Sequence, residues 1–308
     1  MNGIVSALVP VLALILTGYA LRRLAFLPDG AWAGIERLTY FVLFPALLIR
    51  TLGGQRLEGA PWPEVMAVVV PSVLAAAVVL LAWRGLRPAT PGPTFTSVFQ
   101  GGVRFNTYIA LAVAQAYYGE AGLAMGALAA GFMIVLINLL CVTTLAAWGA
   151  GRGGPGRLVR LVRDVAGNPL IVACAIGWFL SLSGIGVPGL AADVLEVPGR
   201  AALPLGLLAV GAALRPAAVR GHAGHVTVAS VVQFGVKPAL AFALVSLTGL
   251  AGAAAGAVQI ALMSPTAPSA YILAGQLGGD RETMASIITA QTALAFPVML
   301  LLSGLLPG

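Results

Sequence analysis

The sequence predicts an all-α integral membrane protein that crosses the bilayer about ten times. Of its 308 residues, 59% are hydrophobic and only 9% are charged, and the mean hydropathy is +0.98. A water-soluble surface cannot be built from this composition. The loops between the apolar runs are short, so we expect one membrane domain with no separate soluble domain.

An apolar run of about 20 residues spans a bilayer as a helix. Such runs predict spans at 4–21, 33–49, 63–83, 95–118, 121–148, 166–183, 201–214, 226–249, 252–276 and 283–305. The first run lacks a basic segment before it and a small-residue cleavage pattern, so we expect a retained helix rather than a signal peptide. Cys141 and Cys174 fall inside predicted spans, which favours packed thiols over a disulfide or a metal pair.

The positive charges predict the topology. The seventeen Lys and Arg residues give a net charge of +7, but they are dispersed among loops without aromatic interleaving, so we expect no nucleic-acid partner. Only Arg50, Arg56 and Arg200 follow even-numbered spans, whereas most of the others follow odd-numbered spans. The positive-inside rule therefore predicts a multi-pass protein of the plasma (inner) membrane, with the odd loops in the cytoplasm and both termini outside.

The two halves of the chain are predicted to be copies. A shift of 159 residues aligns Pro10 with Pro169 and Gln100 with Gln259. A basic, glycine-rich linker at 150–164 separates a first five-helix repeat, 1–149, from a second, 165–308. Because five is odd, the second copy crosses the membrane in the opposite direction, as in the inverted repeats of many secondary transporters. Coincidence of composition is the alternative.

The fourth and ninth spans are predicted to be broken. The fourth carries "VRFNTYIA" at its centre, and the ninth carries "MSPTAPSA" at the matching place, with Pro265 and Pro268 opposing a straight helix. Residues suited to capping restarted half-helices are present in both breaks: Asn106, Thr107, Ser264 and Thr266. Two such half-helices would aim their positive ends at one point. The alternative is a pair of structural kinks.

Two cations lie inside spans: Arg104 in the fourth and Lys237 in the eighth. A cation at the bilayer centre is costly and normally faces a cavity. The acidic residues lie in loops or close to span ends, so we expect an electropositive midplane that favours an anionic substrate. Alternatively, both cations satisfy helix-end carbonyls or extend towards an interface. Asn138 and Gln291, on spans 5 and 10, are further site candidates, or hydrogen bonds between helices.

These residues resemble a known family. "NTY" at 106–108 resembles the end of the Asn-Pro-Asn-Thr-Tyr crossover motif of plant auxin efflux carriers, and the ninth-span prolines resemble their second crossover. "YFVLFPALLIRTL" at 40–52 is similar to the second span of bacterial members of the auxin efflux carrier family. The first Asn-Pro of the plant motif is Arg104-Phe105 here, and the long cytoplasmic loop of many plant carriers is absent.

The resemblance implies two inverted five-helix repeats with broken crossover helices 4 and 9, the fold shared with bile acid sodium symporters and sodium/proton antiporters. It implies a scaffold of spans 1, 2, 6 and 7 that holds a moving unit of spans 3–5 and 8–10. It further implies carriage of carboxylate anions, homodimers in many members, Asn106 and Thr107 at the crossover, and Asn138 at the site.

The expected function is secondary transport of a small organic carboxylate by an elevator movement, without a cofactor or a bound metal. A sodium- or proton-coupled symporter of the bile acid type is the alternative, and a channel or a sensor stays open. An enzyme is not expected, since the chain has no Gly-x-Ser-x-Gly, no His-Glu-x-x-His and no paired intramembrane carboxylates. The predicted substrate-binding residues are Arg104, Asn106, Thr107, Tyr108, Asn138, Lys237, Ser264, Thr266, Ser269 and Gln291.

Overall fold

The protein is an all-helical membrane protein over the described part of the chain. The computed structural model describes residues 2–55, 59–150 and 167–307, which form helices and connecting loops without a strand. Seven helical stretches are long and apolar enough to cross a membrane, and two shorter apolar helices accompany them. Since the stretch Gly92–Trp148 holds two predicted spans, the all-α prediction with about ten crossings is confirmed. The predicted linker at 150–164 lies almost wholly outside the described residues.

Six helices form the first half over its described residues. They are α1 (Asn2–Arg23), α2 (Asp29–Leu38), α3 (Phe44–Gly53), α4 (Trp62–Leu86), α5 (Gly92–Val103) and α6 (Thr107–Trp148). A π-helical turn at Thr39–Leu43 joins α2 to α3, so together they make the second span. Gly119, with φ of 63°, interrupts α6 and separates the end of the fourth span from the fifth, because this left-handed conformation costs glycine little.

Seven helices form the described part of the second half. They are α7 (Pro169–Leu182), α8 (Gly189–Ala213), α9 (Ala223–Val231), α10 (Lys237–Thr248), α11 (Gly252–Leu262), α12 (Ser269–Leu277) and α13 (Arg281–Leu302). A second π-helical turn, Val232–Val236, joins α9 to α10 into the eighth span. A short 3-10 helix at Pro216–Gly221 connects α8 to α9.

The seventh span begins earlier than the sequence predicts. The predicted run is 201–214, whereas α8 covers Gly189–Ala213 and contains two prolines. Charged residues in the first half of α8 interrupt the apolar pattern. Glu196 is neutralised there by ion pairs with Arg50, at 3.1 Å, and with Arg200. Paired charges near a helix end are compatible with a membrane edge, so the helix continues where hydropathy alone predicts a loop.

Matching helices recur at the spacing of the sequence repeat. Shifting α5 by 159 residues gives 251–262, and α11 covers Gly252–Leu262. Shifting the second span gives 188–212, and α8 covers Gly189–Ala213. The opposite orientation of the two halves stays a prediction.

The helices pack in two groups. In the first, α1 packs on α8, and α3 packs on α7 and α8, so this group contains spans 1, 2, 6 and 7. A Cβ atom at Gly18 or Gly211 would clash with the facing backbone, which shows how closely α1 and α8 approach. In the second group, α5 packs on α9 and α13, α4 packs on α10, and α6 packs on α11.

Candidate functional site

The first break in a membrane helix lies between α5 and α6. Residues 104–106 are extended, with ψ of 161° at Arg104 and 102° at Asn106. The side-chain Oδ1 of Asn106 accepts hydrogen bonds from the backbone N–H groups of Tyr108, at 3.0 Å, and Ile109, at 3.2 Å. This N-cap satisfies donors that the start of α6 would otherwise leave bare, so the break needs no proline.

The second break lies between α11 and α12, at 263–268, where Pro265 and Pro268 occur. The backbone N–H of Thr266 donates to Oε1 of Gln291 at 3.0 Å, and Nε2 of Gln291 donates to the carbonyl of Gly101 at 2.8 Å. The Gln291 amide, on α13, therefore connects the two broken helices. The hydroxyl of Thr266 lies 2.7 Å from Oε1 of Gln291 and 3.0 Å from the Gly101 oxygen.

Side chains of the eighth span form hydrogen bonds to both breaks. The ammonium of Lys237, at the start of α10, donates to the carbonyls of Val103 at 3.3 Å and Arg104 at 3.4 Å. Gln233, one turn earlier, donates through Nε2 to the carbonyl of Ser264. Lys237 is fully buried and sits at the C-terminal end of α5, where a cation is stabilised by the helix dipole. Lys237 therefore contacts helix-end carbonyls, the alternative role that the sequence left open.

A cavity of about 580 Å³, here called the crossover cavity, lies beside the first break. Its polar lining comprises Glu36, Arg37, Tyr40, Arg104, Asn138, Asn168, Ser269 and Gln276. Nη2 of Arg104 donates to Oδ1 of Asn138 at 3.1 Å, and Nδ2 of Asn138 donates to the carbonyl of Ile134 at 2.8 Å. Arg104 is 8% exposed, and its Nε is buried without a hydrogen-bond partner.

The crossover cavity carries an excess of positive charge. Arg104 and Arg37 contribute two guanidiniums, and Glu36 contributes one carboxylate. The lining also includes Pro169 and Ser269, the first residues of α7 and α12, and helix N-termini favour anions. In the part of the chain that the structure describes, Arg104 forms no ion pair. Among the described residues, its guanidinium is met by the neutral amide of Asn138 and the thiol of Cys141.

Glu36 lies elsewhere than the sequence predicts. The predicted second span begins at residue 33, which puts this carboxylate at the membrane edge. The helix begins at Asp29, so Glu36 is about two turns inside it and faces the same cavity as Arg104. Glu36 thus shares a cavity with Arg104, and the two form no ion pair among the described residues.

A smaller cavity of about 40 Å³ lies where the breaks meet the first helix group. Asn106, Thr107 and Tyr108 line it from the first break, and Pro268 and Ser269 line it from the second. The volume suits a water molecule rather than a substrate. Helices of the first group close its other side through residues that include Glu36 and Tyr40.

The predicted site residues thus divide into two sets. Those that line one of these two cavities are Arg104, Asn106, Thr107, Tyr108, Asn138 and Ser269. Those that lie behind the breaks, lining neither, are Lys237, Ser264, Thr266 and Gln291. The sequence reasoning missed Glu36, Tyr40 and Asn168. Asn168 could have been found, because an asparagine before a proline is a helix-start signal, and it caps α7 through bonds to Leu170 and Ile171.

Residues 157–303 match the family model described as "Membrane transport protein". The fold and this match define a membrane transport protein, which agrees with the expectation that the chain is not an enzyme. The match supports the assignment to the auxin efflux carrier family that the second-span and crossover motifs indicate. No curated protein matches the chain.

Proposed function

We propose that the protein is a secondary transporter of a small organic carboxylate anion that binds in the crossover cavity. The observation that carries this proposal is the buried guanidinium of Arg104, which faces a cavity and forms no ion pair among the described residues. A guanidinium matches a carboxylate in shape and charge and holds it by two parallel hydrogen bonds. The cavity volume lies within the usual range for small-molecule sites.

The charge of the lining favours a monoanion. Two guanidiniums against one carboxylate leave a single positive charge, which a monocarboxylate would neutralise. A dicarboxylate would leave an excess negative charge unless Glu36 carried a proton. We therefore expect monocarboxylates to bind better than dicarboxylates near neutral pH.

The proposed movement is an elevator in which the second helix group slides against the first. Arg104, Asn138 and Ser269 line the crossover cavity from the second group, and Tyr40 and Asn168 line it from the first. Sliding along this boundary would carry the anion's main contacts past a fixed wall. The recurrence of helix bounds at the repeat spacing supports the inverted-repeat architecture that such carriers use.

In the proposed orientation, both termini lie outside the plasma membrane. The cavity is lined by Pro169 and Leu277, which adjoin loops following odd-numbered spans, so it would open towards the cytoplasm. Export of a monoanion is then favoured by roughly 2.3 kcal/mol per 100 mV of interior-negative potential, without a coupled ion.

Sodium coupling is disfavoured by Lys237. Its ammonium already occupies the carbonyls at the end of α5, which a sodium ion would otherwise use as ligands. Gln233, whose amide meets the second break, lies one turn away on the same helix. A second cation near this crossover would therefore be repelled by a fixed one.

Proton-coupled anion transport is the second candidate, and Glu36 is the observation that favours it. This carboxylate faces the cavity that holds Arg104, so it could take up a proton as the anion binds. Glu36→Gln would then abolish the pH dependence of transport. Under uncoupled transport, the same variant would leave the pH dependence unchanged.

The test is charge displacement by reconstituted protein on supported membranes, challenged with mono- and dicarboxylates with and without sodium. We expect a saturable, sodium-independent signal from the wild type. Arg104→Gln should raise the half-saturating concentration by about tenfold to a hundredfold. This is the range expected for a lost charged hydrogen bond of about 1.5–3 kcal/mol. Arg200→Gln, which removes an exposed arginine of the opposite side, is the matched control. Silence of the wild type towards every carboxylate would overturn the proposal.

A further inference from the structure

A second cavity, of about 740 Å³, lies away from the crossover and is strongly basic. We call it the basic cleft and define it by Arg23, Arg215, His222, Tyr271, Arg281 and Glu282. Arg23 ends α1, and Arg215 and His222 flank the short 3-10 helix Pro216–Gly221. Tyr271 belongs to α12, and Arg281 begins α13. The cleft is therefore lined by residues of both helix groups. They lie at the helix ends next to the odd-numbered loops.

Its three guanidiniums lack acidic partners. Arg23, Arg215 and Arg281 are exposed, and none forms an ion pair among the described residues. Glu282 is the one carboxylate in the lining. Three cations around one cleft repel one another, so an anion that binds between them relieves this repulsion.

Tyr271 fixes two of these cations in place. The guanidinium carbons of Arg215 and Arg281 lie 5.1 and 4.5 Å from the centre of its ring. Nη1 of Arg215 also lies 3.3 Å from the Tyr271 hydroxyl. Stacking on an aromatic ring holds a guanidinium while leaving its N–H donors free for an oxyanion. The two planar donors are thus arranged before any ligand arrives, which lowers the entropy cost of binding.

Exposed apolar side chains follow Arg23 of the basic cleft along the chain. Leu24 and Phe26 directly follow Arg23 and are 76% and 69% exposed. A free phosphate ion gains nothing from contact with apolar side chains, whereas the acyl chains of a phospholipid pack favourably against them. Basic pockets between membrane helices are suited to anionic lipid headgroups.

We propose that the basic cleft binds the phosphoryl headgroup of an anionic phospholipid from the leaflet on the side of the odd-numbered loops. Arg215, Arg281 and Arg23 supply the charge, and Leu24 and Phe26 contact the lipid chains. A lipid in this position touches both helix groups at once. Under the proposed elevator movement, on which this step rests, its occupancy would restrain the sliding of the two groups and make the cleft a regulatory site.

The test is native mass spectrometry of the detergent-purified full chain, with phosphatidylglycerol compared to phosphatidylcholine of the same acyl chains. Binding is read without transport, so the result does not depend on the proposed substrate. We expect phosphatidylglycerol to bind more tightly. Arg281→Gln should weaken its binding by about fivefold, and the double variant with Arg215→Gln by about 25-fold, since each basic group near a membrane contributes about one factor of five.

Arg87→Gln is the matched control, because Arg87 is an exposed arginine on an odd-numbered loop and lies outside the cleft lining. It should leave phosphatidylglycerol binding unchanged, and Arg281→Lys should retain most of it. Equal binding of the two lipids by the wild type would overturn the proposal. So would an equal loss in Arg87→Gln and Arg281→Gln. Full displacement of the lipid by inorganic phosphate or glycerol phosphate would instead assign the cleft to a soluble anion and contradict the lipid proposal.

Discussion

Replacing Gln291 with methionine tests whether one amide holds the two broken helices together. The substitution keeps the length of the side chain and removes both its acceptor and its donor. The backbone N–H of Thr266 then loses its 3.0 Å partner inside a buried site. The carbonyl of Gly101 loses Nε2 of Gln291 but keeps the Thr266 hydroxyl at 3.0 Å. One donor is therefore left bare, at a cost of about 1–3 kcal/mol.

Combining Gln291→Met with Thr266→Val is more informative than either substitution alone. Thr266→Val by itself leaves the Gln291 bonds to the Thr266 N–H and to the Gly101 carbonyl in place, and it should cost about 0.5–1.5 kcal/mol, the usual value of the one hydroxyl hydrogen bond that is lost. In the double variant with Gln291→Met, the Gly101 carbonyl also becomes bare. The combined loss should then exceed the sum of the single losses, as expected for residues that share a partner.

The assay is thermal unfolding of the detergent-purified protein, followed by the exposure of its buried thiols, Cys141 and Cys174. Gln115→Met is the matched control, because Gln115 makes an exposed hydrogen bond to Glu120 and its loss should be within about 0.5 kcal/mol. A midpoint for Gln291→Met equal to that of Gln115→Met would refute the reasoning. If the loss of stability in the double variant equalled the sum of the two single losses, only the argument from the shared Gly101 carbonyl would be refuted.

Three further outcomes are expected, two from the same unfolding assay and one from size exclusion. Asn106→Ala removes the cap of α6 and should cost about 0.5–2 kcal/mol, whereas Asn106→Asp should retain most of the stability. Gly211→Val should prevent correct packing of α1 on α8, to be read as loss of the monodisperse peak in size exclusion; a normal peak would contradict that close approach. Burial of Asp280 opposes its charge, but bonds from Thr283 and Thr94 outweigh burial and lower the pKa of this carboxyl. Its stabilising effect is thus present above about pH 4 and lost as the pH falls through the lowered value; Asp280→Asn should remove that acid sensitivity, and an unchanged acid profile would contradict it.

The positions of the helix breaks could be predicted from the sequence because they depend on local chemistry. Two prolines in the ninth span and a capping asparagine in the fourth act within a few residues, and the breaks lie where they occur. Cys141 and Cys174 were likewise predicted as packed thiols, and both are free and buried. Local propensity and hydropathy suffice for features of this kind.

The partners of the buried polar groups could not be predicted, because they are set by packing between distant helices. Nothing local indicates that Lys237 reaches the carbonyls of Val103 and Arg104, more than 130 positions earlier. Hydropathy places Glu36 at the membrane edge, because it does not reveal that α2 begins at Asp29. It likewise predicts a loop at the charged start of α8, because the neutralising partner of Glu196, Arg50, lies on another span.

The position of Arg104 on the second helix group has an electrical consequence. Lys237 lies on the same group, so under the proposed elevator movement an empty carrier would move two positive charges through the membrane field. With a monoanion bound, the same movement would carry one. Each charge is worth up to about 2.3 kcal/mol per 100 mV, so an interior-negative voltage would favour the inward return of the empty carrier twice as strongly as it opposes the outward loaded step. Voltage would therefore act on both halves of the cycle, with opposite signs and unequal strength.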